Sequence, residues 1–453
     1  MTLIKSILLG TAAGMVVVSG AAQAADLPTR KAAPAADYVK VCNVNGMAGF
    51  IIPGSDTCLK ISGFVWALYS GGNTKNQYTL NDLGTSYETV PGVLNVTRGA
   101  ARDQLDMSAR SALSIDTAMN TAYGPLVTSF QFRGNTGSAT NGVNNAAGSG
   151  FAIDHGYIQW AGITAGYKGS AYDVFGEGNL FDDYYAPDNL NRNPIVLAYT
   201  ATFGGGFSAT IELDDNYASR ANVDFTAGEA NIYHGVQYPD VVGVLDLKQG
   251  WGEAAIAGVA HNTNVISGAD GGSINKWGWG VNGGVKFNLP GLSGDPKAPD
   301  TITFQGDWTK GALGFSGYSA GNVLENGNGT LFNFLDQMEY APGLFAEPTA
   351  WAVAANMMHH FSPNFAFSPE ISYLSVDYGS GPTDVSTKLT SWKGGAIAHW
   401  YPLASSALDF HLEAMYTSTK ESTPVAFVGS PLQPTFVSKS DGFIVRAGVE
   451  RDF

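Results

Sequence analysis

Past residue 24 this chain of 453 residues has no run of eighteen apolar residues without a polar break. A membrane-spanning helix needs about 20 such residues, so helical spans are excluded there. Charge is also scarce. Only 14% of the residues are Asp, Glu, Lys or Arg, where a soluble domain carries about 25%. A basic surplus is missing too: 24 Lys and Arg stand against 39 Asp and Glu, for a net charge of −15. This argues against general nucleic-acid binding, which needs a positive footprint. Cysteine is limited to Cys42 and Cys58. What is abundant is glycine (57 residues) and aromatic side chains (12%), within a composition that is 44% hydrophobic. Low charge with much glycine and many rings, and no helical span, fits alternating strands that are apolar on one face and polar on the other.

The last strand shows that alternation plainly. One face reads Phe443, Val445, Ala447, Val449, Arg451, Phe453; the other reads Ile444, Arg446, Gly448, Glu450, Asp452. Period two over this length is a β-strand, mostly greasy on one side and mostly polar on the other. A strand that ends the chain on an exposed aromatic, here Phe453, is how an outer-membrane barrel closes against its first strand. The N-terminus agrees. Lys5 precedes an apolar stretch from Ile7 to Val18, and Ala22-Gln23-Ala24 forms a small-x-small cleavage site. Residues 1–24 therefore read as a signal peptide, residues 25–57 as a periplasmic lead-in, and residues 58–453 as the barrel. In an exported protein, the separation of Cys42 and Cys58 predicts a disulfide. It would contribute about 3 kcal/mol by restricting the unfolded chain. A metal site there would need further ligands, and no histidine is near.

Sixteen alternating segments are expected, at 58–70, 103–119, 124–133, 152–160, 163–168, 194–203, 207–215, 238–248, 252–263, 275–288, 300–310, 349–361, 364–377, 387–400, 406–420 and 437–453. The segment 364–377 contains Pro369, an awkward residue for a strand interior. Tight connections such as Asn120–Tyr123, Ala161–Gly162 and Gly204–Gly206 alternate with long ones such as 71–102, 169–193 and 311–348. Short turns on one rim and long loops on the other are the signature of an all-β, 16-stranded antiparallel transmembrane barrel with periplasmic turns and external loops. Phe203, Phe207, Trp251, Phe361, Phe365, Trp400 and Tyr401 cluster at the tight turns, where they would form the periplasmic aromatic girdle.

Several of these segments resemble the alphaproteobacterial porins of the rhizobial and brucella type. They are PGSDTCLKISGFVWALYS (Pro53 to Ser70) with Cys42 upstream, HGYIQWAGITAGYKGSAYD (His155 to Asp173), LAYTATFGGGFSATIELDD (Leu197 to Asp215) and the turn Gln249-Gly250-Trp251-Gly252. The resemblance implies a general diffusion porin, a water-filled passive channel for small hydrophilic solutes and ions in the Gram-negative outer membrane. It also implies a homotrimer surrounded by outer-membrane lipid, with no cofactor, and a third long loop folded into the lumen. Two features depart from the pattern. Arg451 stands where an aromatic is common, and the connection 311–348 is enlarged.

A porin carries out no reaction; its working parts are a bore and the fixed charges in it. The loop 169–193 carries Asp173, Glu177, Asp182, Asp183 and Asp188 against one Arg192. Folded inward, as the resemblance implies, it would bring acids to the narrowest point. The competing arrangement is a solvated external loop whose acids bind divalent ions between lipid head groups. Opposing positive charge would come from Lys60, Arg110, Arg133 and Arg446 on strands that become neighbours when the barrel closes, giving a transverse field. His399 and His411 also point inward, whereas His359 and His360, adjacent on a strand, should face opposite ways; no metal site is expected. A substrate-specific channel would need a lumenal stripe of aromatics, and most rings here fall on the outer face or the rim. A hydrolase would need a nucleophile, base and orienting group together, and a twelve-stranded enzyme barrel would leave much of the chain unused.

Overall fold

In the computed structural model the described residues are 40–80, 94–98, 105–137, 148–175, 193–215, 222–223, 235–266, 273–317, 335–341, 344–380, 386–403, 407–424 and 435–453. The segment Met1–Val41, almost wholly outside them, is distinct from a compact unit Cys42–Phe453. The expected signal peptide and most of the lead-in therefore lie outside the described residues.

The compact unit is a closed antiparallel barrel of sixteen strands. In chain order they are β1 (Cys58–Leu80), β2 (Leu105–Thr121), β3 (Gly124–Gly137), β4 (Gly148–Trp160), β5 (Ile163–Tyr167), β6 (Ile195–Gly204), β7 (Phe207–Asp214) and β8 (Asp240–Gln249). The second half is β9 (Gly252–Ile266), β10 (Ser273–Leu289), β11 (Asp300–Lys310), β12 (Thr349–Ser362), β13 (Phe365–Ser380), β14 (Ser386–Trp400), β15 (Leu408–Pro424) and β16 (Thr435–Asp452). Each expected segment becomes one of these strands. Several run further toward the long loops than the alternation alone indicated, β1 most of all. Three short strands, Val41–Val44, Met47–Ile51 and Leu94–Arg98, extend the same sheet at its rims.

Closure joins β16 to β1, from Val437 opposite Thr79 down to Asp452 opposite Phe64. Phe453 completes it: its N–H and C=O bond to the C=O and N–H of Gly63, each at 3.0 Å. A Cβ at position 63 would lie 2.8 Å from the Phe453 ring, so glycine is the residue that lets the terminal aromatic seat. Pro369 is accommodated on one edge. The ladder between β12 and β13 skips from Asn356–Glu370 to His359–Phe367, while on the other side Pro369 stays in register with Ala396 of β14. The missing N–H thus falls on the interrupted ladder.

Outward and inward faces differ as the alternation requires. Large apolar side chains such as Leu197, Ile211, Ile371 and Leu412 are more than half exposed on the outside. Such a continuous band is tolerated only where lipid covers it. Rings border the band on both sides. At the tight turns, Tyr123 packs edge-on to Trp160, and Phe203–Phe207, Trp251–Phe287, Phe361–Phe365 and Trp400–Phe410 pair nearby. Toward the long loops, Trp279–Trp308, Trp351–Tyr373 and Trp392–Tyr416 form a second girdle. Cys42 and Cys58 are bonded to each other. Their hairpin covers Cys58, Ala118 and Val127 on the inner face near the turn rim.

Candidate functional site: the bore

The inner wall is polar because one residue in two points inward and those residues carry charge. The third external connection leaves β5 at Tyr167 and turns into the barrel. Its first residues lie across the inner faces of β7 to β10. The Ser170 hydroxyl donates to Asp214 Oδ2 (2.6 Å) and sits 3.3 Å from Glu212 Oε1. The Ala171 N–H donates to Glu212 Oε1 (2.5 Å), and the Asn282 amide of β10 donates to the Tyr172 carbonyl (2.9 Å). Tyr172 is fully buried against Val242 of β8 and Ala257 and Val259 of β9. Burial of such a ring contributes about 2 kcal/mol.

Strand β10 explains why the loop can lie so close. Its outward residues are Trp277, Trp279 and Val281, and its inward ones are Gly278, Gly280, Asn282 and Gly284. A Cβ at Gly280 would come 3.0 Å from the Tyr172 hydroxyl, and one at Gly284 would come 2.7 Å from the Phe175 ring. Inward glycines make the seat; outward tryptophans keep the strand in the membrane. Of the five acids expected to narrow the bore, Asp173 is half-buried on this inward segment. Glu177, Asp182, Asp183 and Asp188 lie outside the described residues.

The four basic residues all stand on inward positions, in different states. Lys60 is exposed near the turn rim, in register with Asp116. Arg110 lies over the Trp66 ring (5.2 Å) and donates from Nε to Asn135 Oδ1 (2.6 Å). Arg133 is ion-paired to Asp154 of β4 (2.6 Å) and remains about one-third exposed. Arg446 is fully buried and bonded to Glu413 directly across on β15 (2.5 Å). In a ring of sixteen, β2 is diametrically opposite β10, so Arg110 and Arg133 stand across the bore from the wall that the third loop covers.

The inner surface holds more than charge parity predicted. Trp66 and Leu68 point inward and are buried, although most rings fall on the outer face or the rim as expected. Lys393, Glu370 and Glu413 are likewise buried on inward positions of β14, β13 and β15. Lys393 and Glu413 were legible by counting parity from His399 and His411, which do face inward: His399 Nδ1 lies 2.8 Å and His411 Nδ1 3.4 Å from Asp409 Oδ2. In the adjoining turn, burial and then the carboxylates of Asp409 and Glu450 push the Tyr401 phenol up to about 12. His359 and His360, expected on opposite faces, both reach Asp300, the first residue of β11. The ladder still keeps them on opposite faces, His360 opposite the inward Ala366 and His359 opposite Phe367, and the register shifts only beyond them, between His360 and Ser362. Among the described residues no group of three or more His, Cys, Asp or Glu is arranged to hold a metal ion.

A sequence profile described as the porin subfamily matches residues 26–424. The chain belongs to that porin family. Porin Omp2b of Brucella abortus is 31% identical over 387 residues, covering 82% of this chain and 92% of its own. Porin Omp2b of Brucella melitensis is 30% identical over the same share of both chains. Among solved structures, the outer membrane channel DcaP of Acinetobacter baumannii has the same fold, with a TM-score of 0.55 at 14% identity, covering 88% of this chain and all of that one. The porin is accordingly a general diffusion channel of the Gram-negative outer membrane, and the bore is its working site.

Proposed function

We propose that this porin passes small hydrophilic solutes and ions through a bore narrowed on one side by its third loop and lined on the other by basic residues, and that it catalyses no reaction. The observation that carries this is the seating of Ser170 to Phe175 across β7–β10, opposite Arg110 and Arg133. Loop acids held there would face positive charge across the gap, and the field between them would orient dipolar solutes and disfavour apolar ones. In this reading Asp173, Glu177, Asp182, Asp183 and Asp188 form the acidic side. Arg110 and Arg133 supply most of the basic side and Lys60 charges the turn-side mouth. Arg446, matched by Glu413, mainly organises the wall.

The string Gly317-Tyr318-Ser319-Ala320-Gly321 has the form of a hydrolase nucleophile elbow. It follows a short 3-10 turn (Leu313–Phe315) instead of a strand, which supports the non-enzymatic reading. A homotrimer is supported by the outer face of β2 and β3. There Ala109, Ser111, Thr117, Thr128 and Gly134 are interspersed among Met107, Leu113, Ile115, Phe130 and Phe132, and Thr117 and Thr128 share a hydrogen bond (2.5 Å). Hydroxyls fit a subunit contact better than a lipid contact.

Conductance of the purified protein in planar bilayers, with reversal potentials in a salt gradient, tests the channel reading. Large stepwise conductance with mild cation preference is expected; absence of steps would overturn it. Cross-linking of the detergent-extracted protein tests the assembly, and a band at the monomer position alone would refute the trimer.

A further inference from the structure

The enlarged connection 311–348 has a definite place inside the barrel at both its ends. Gly311 to Gly317 are all buried. Gly311, with φ of +61°, passes directly over the inward Gly278 of β10, where a Cβ would collide with its backbone. Phe315 packs edge-on to Tyr172 of the third loop (5.1 Å) and to His261 of β9 (5.5 Å). The neck of the connection is closed by the Gly311 N–H donating to the Pro348 carbonyl (2.8 Å).

The far end is tied down by a chain of three buried polar groups. His261 lies between Asp240 of β8 (Nδ1–Oδ2, 2.8 Å) and Asp336 of the connection (Nε2–Oδ2, 3.1 Å), and none of the three is exposed. The second oxygen of Asp336 accepts the Leu313 N–H (2.8 Å), which links the two ends of the connection to each other. Asp240 also accepts the Asn262 N–H (3.1 Å). Each of the two contacts carries one proton, on the ring nitrogen or on the carboxyl group. Two acids and a histidine are thereby buried together, an arrangement that persists only while all its hydrogen bonds are made. The strand Leu335–Ala341 that bears Asp336 also pairs in parallel with Asn222–Val223 of the fourth connection.

We infer that the described parts of the sixth connection, 311–317 and 335–341, form a second arm of the sieve, and that His261 and Asp336 are positioning residues that hold them, together with the start of the third loop, against the β8–β10 wall. The inference rests on the reading of the bore as the conducting path. Freeing this arm should widen the bore without opening the barrel, because the sixteen strands close independently of it.

The test is single-channel conductance, with liposome swelling by sugars of graded size, for Asp336→Ala, Asp336→Asn and Phe315→Ala. Asp336→Ala leaves His261 paired with Asp240. A rise in conductance and a shift to larger admitted sugars are expected for Asp336→Ala and Phe315→Ala, with heat-resistant barrel migration on gels unchanged. Asp336→Asn should retain the wild-type bore: the new side-chain carbonyl can accept from Leu313 and the new amide can donate to neutral His261. Wild-type conductance in both alanine variants, or an asparagine variant as wide as the alanine one, would overturn the inference. If Asp336→Ala fails to assemble, Phe315→Ala alone decides. Failure of the wild type to conduct would instead sink the channel reading.

Discussion

Arg446 and Glu413 face each other on adjacent strands with Nη1 and Oε1 2.5 Å apart, and neither side chain is exposed. Removing one partner of a buried pair leaves an uncompensated charge and costs about 3–5 kcal/mol. Glu413→Ala is therefore expected to lose stability by about that much, read as a lower denaturant midpoint of the detergent-solubilised barrel. Replacing both residues with apolar ones of similar volume should recover most of it. If Glu413→Ala unfolds like the wild type, the pair is not structural, and Arg446 returns to the list of residues that act on passing ions.

Charge in the bore is expected to show as selectivity. If the loop acids line the bore as proposed, neutralising Asp182 and Asp183 to Asn should shift the reversal potential toward less cation preference, because two negative charges would leave one side of it. The motive is the acid excess of residues 169–193. An unchanged reversal potential would remove both residues from the constriction.

The opposite sign is expected on the opposite wall. Arg110→Gln keeps a donor toward Asn135 but deletes the cation over Trp66. Cation preference should increase, as it should for Arg133→Gln, whose loss also frees the carboxylate of Asp154. The comparison is made at low ionic strength, since a Debye length of about 10 Å at 0.1 M salt already screens much of the bore. Equal selectivity of Arg110→Gln and wild type would contradict the transverse field.

The barrel itself was readable from period-two alternation. From Phe443 to Phe453 every residue faces the way its parity demands, because lipid outside and water inside enforce opposite chemistry on neighbours. Parity also carried Arg110, Arg133 and Arg446 to the inner wall. It could not say that Arg446 would be neutralised, since that needs the register placing Glu413 opposite it, and register depends on pairings that single-strand patterns do not encode. The sixth connection was still less legible. His261 and Asp336 are 75 residues apart and belong to no common motif, and they meet only because the loop returns into the lumen. One signal was present: Gly278 and Gly280 alternate with Trp277 and Trp279, with Gly284 further along the same face, and such a stripe marks a close approach by other backbone or side chains. His359 and His360 do lie on opposite faces, across from Phe367 and Ala366, but single-strand alternation could not show that both reach Asp300.

The disulfide offers a test of stability separate from conduction. Cys42→Ser with Cys58→Ser is expected to lose about 3 kcal/mol through the freed unfolded chain. The hairpin it ties down covers Cys58, Ala118 and Val127 at the turn rim, remote from the seat of the third loop. The denaturant midpoint should fall while single-channel conductance stays at the wild-type value. A changed conductance would mean that the hairpin also takes part in shaping the path.

The glycine seat on β10 yields the sharpest geometric prediction. A side chain at position 284 has nowhere to go: its Cβ would meet the Phe175 ring at 2.7 Å, and the β11 backbone at Phe304 lies closer still. At position 280 the first obstacles are side chains, the Tyr172 hydroxyl and the Thr309 methyl at 3.0 Å and a Val259 methyl at 3.3 Å. Gly280→Leu should thus displace Tyr172 with modest strain in the strand, at an overpacking cost of about 1–3 kcal/mol, whereas Gly284→Leu should impair folding outright. With Tyr172 displaced, the third loop loses its ring anchor on Val242, Ala257 and Val259. The channel should then conduct more and flicker more, since the loop loses its ring packing and is held by polar bonds, those of Ser170 and Ala171 to Asp214 and Glu212 and that of Asn282 to the Tyr172 carbonyl. A Gly280→Leu channel with wild-type conductance and quiet traces would mean that the polar bonds hold the loop without the ring. The ring contact would then be packing without control over the bore.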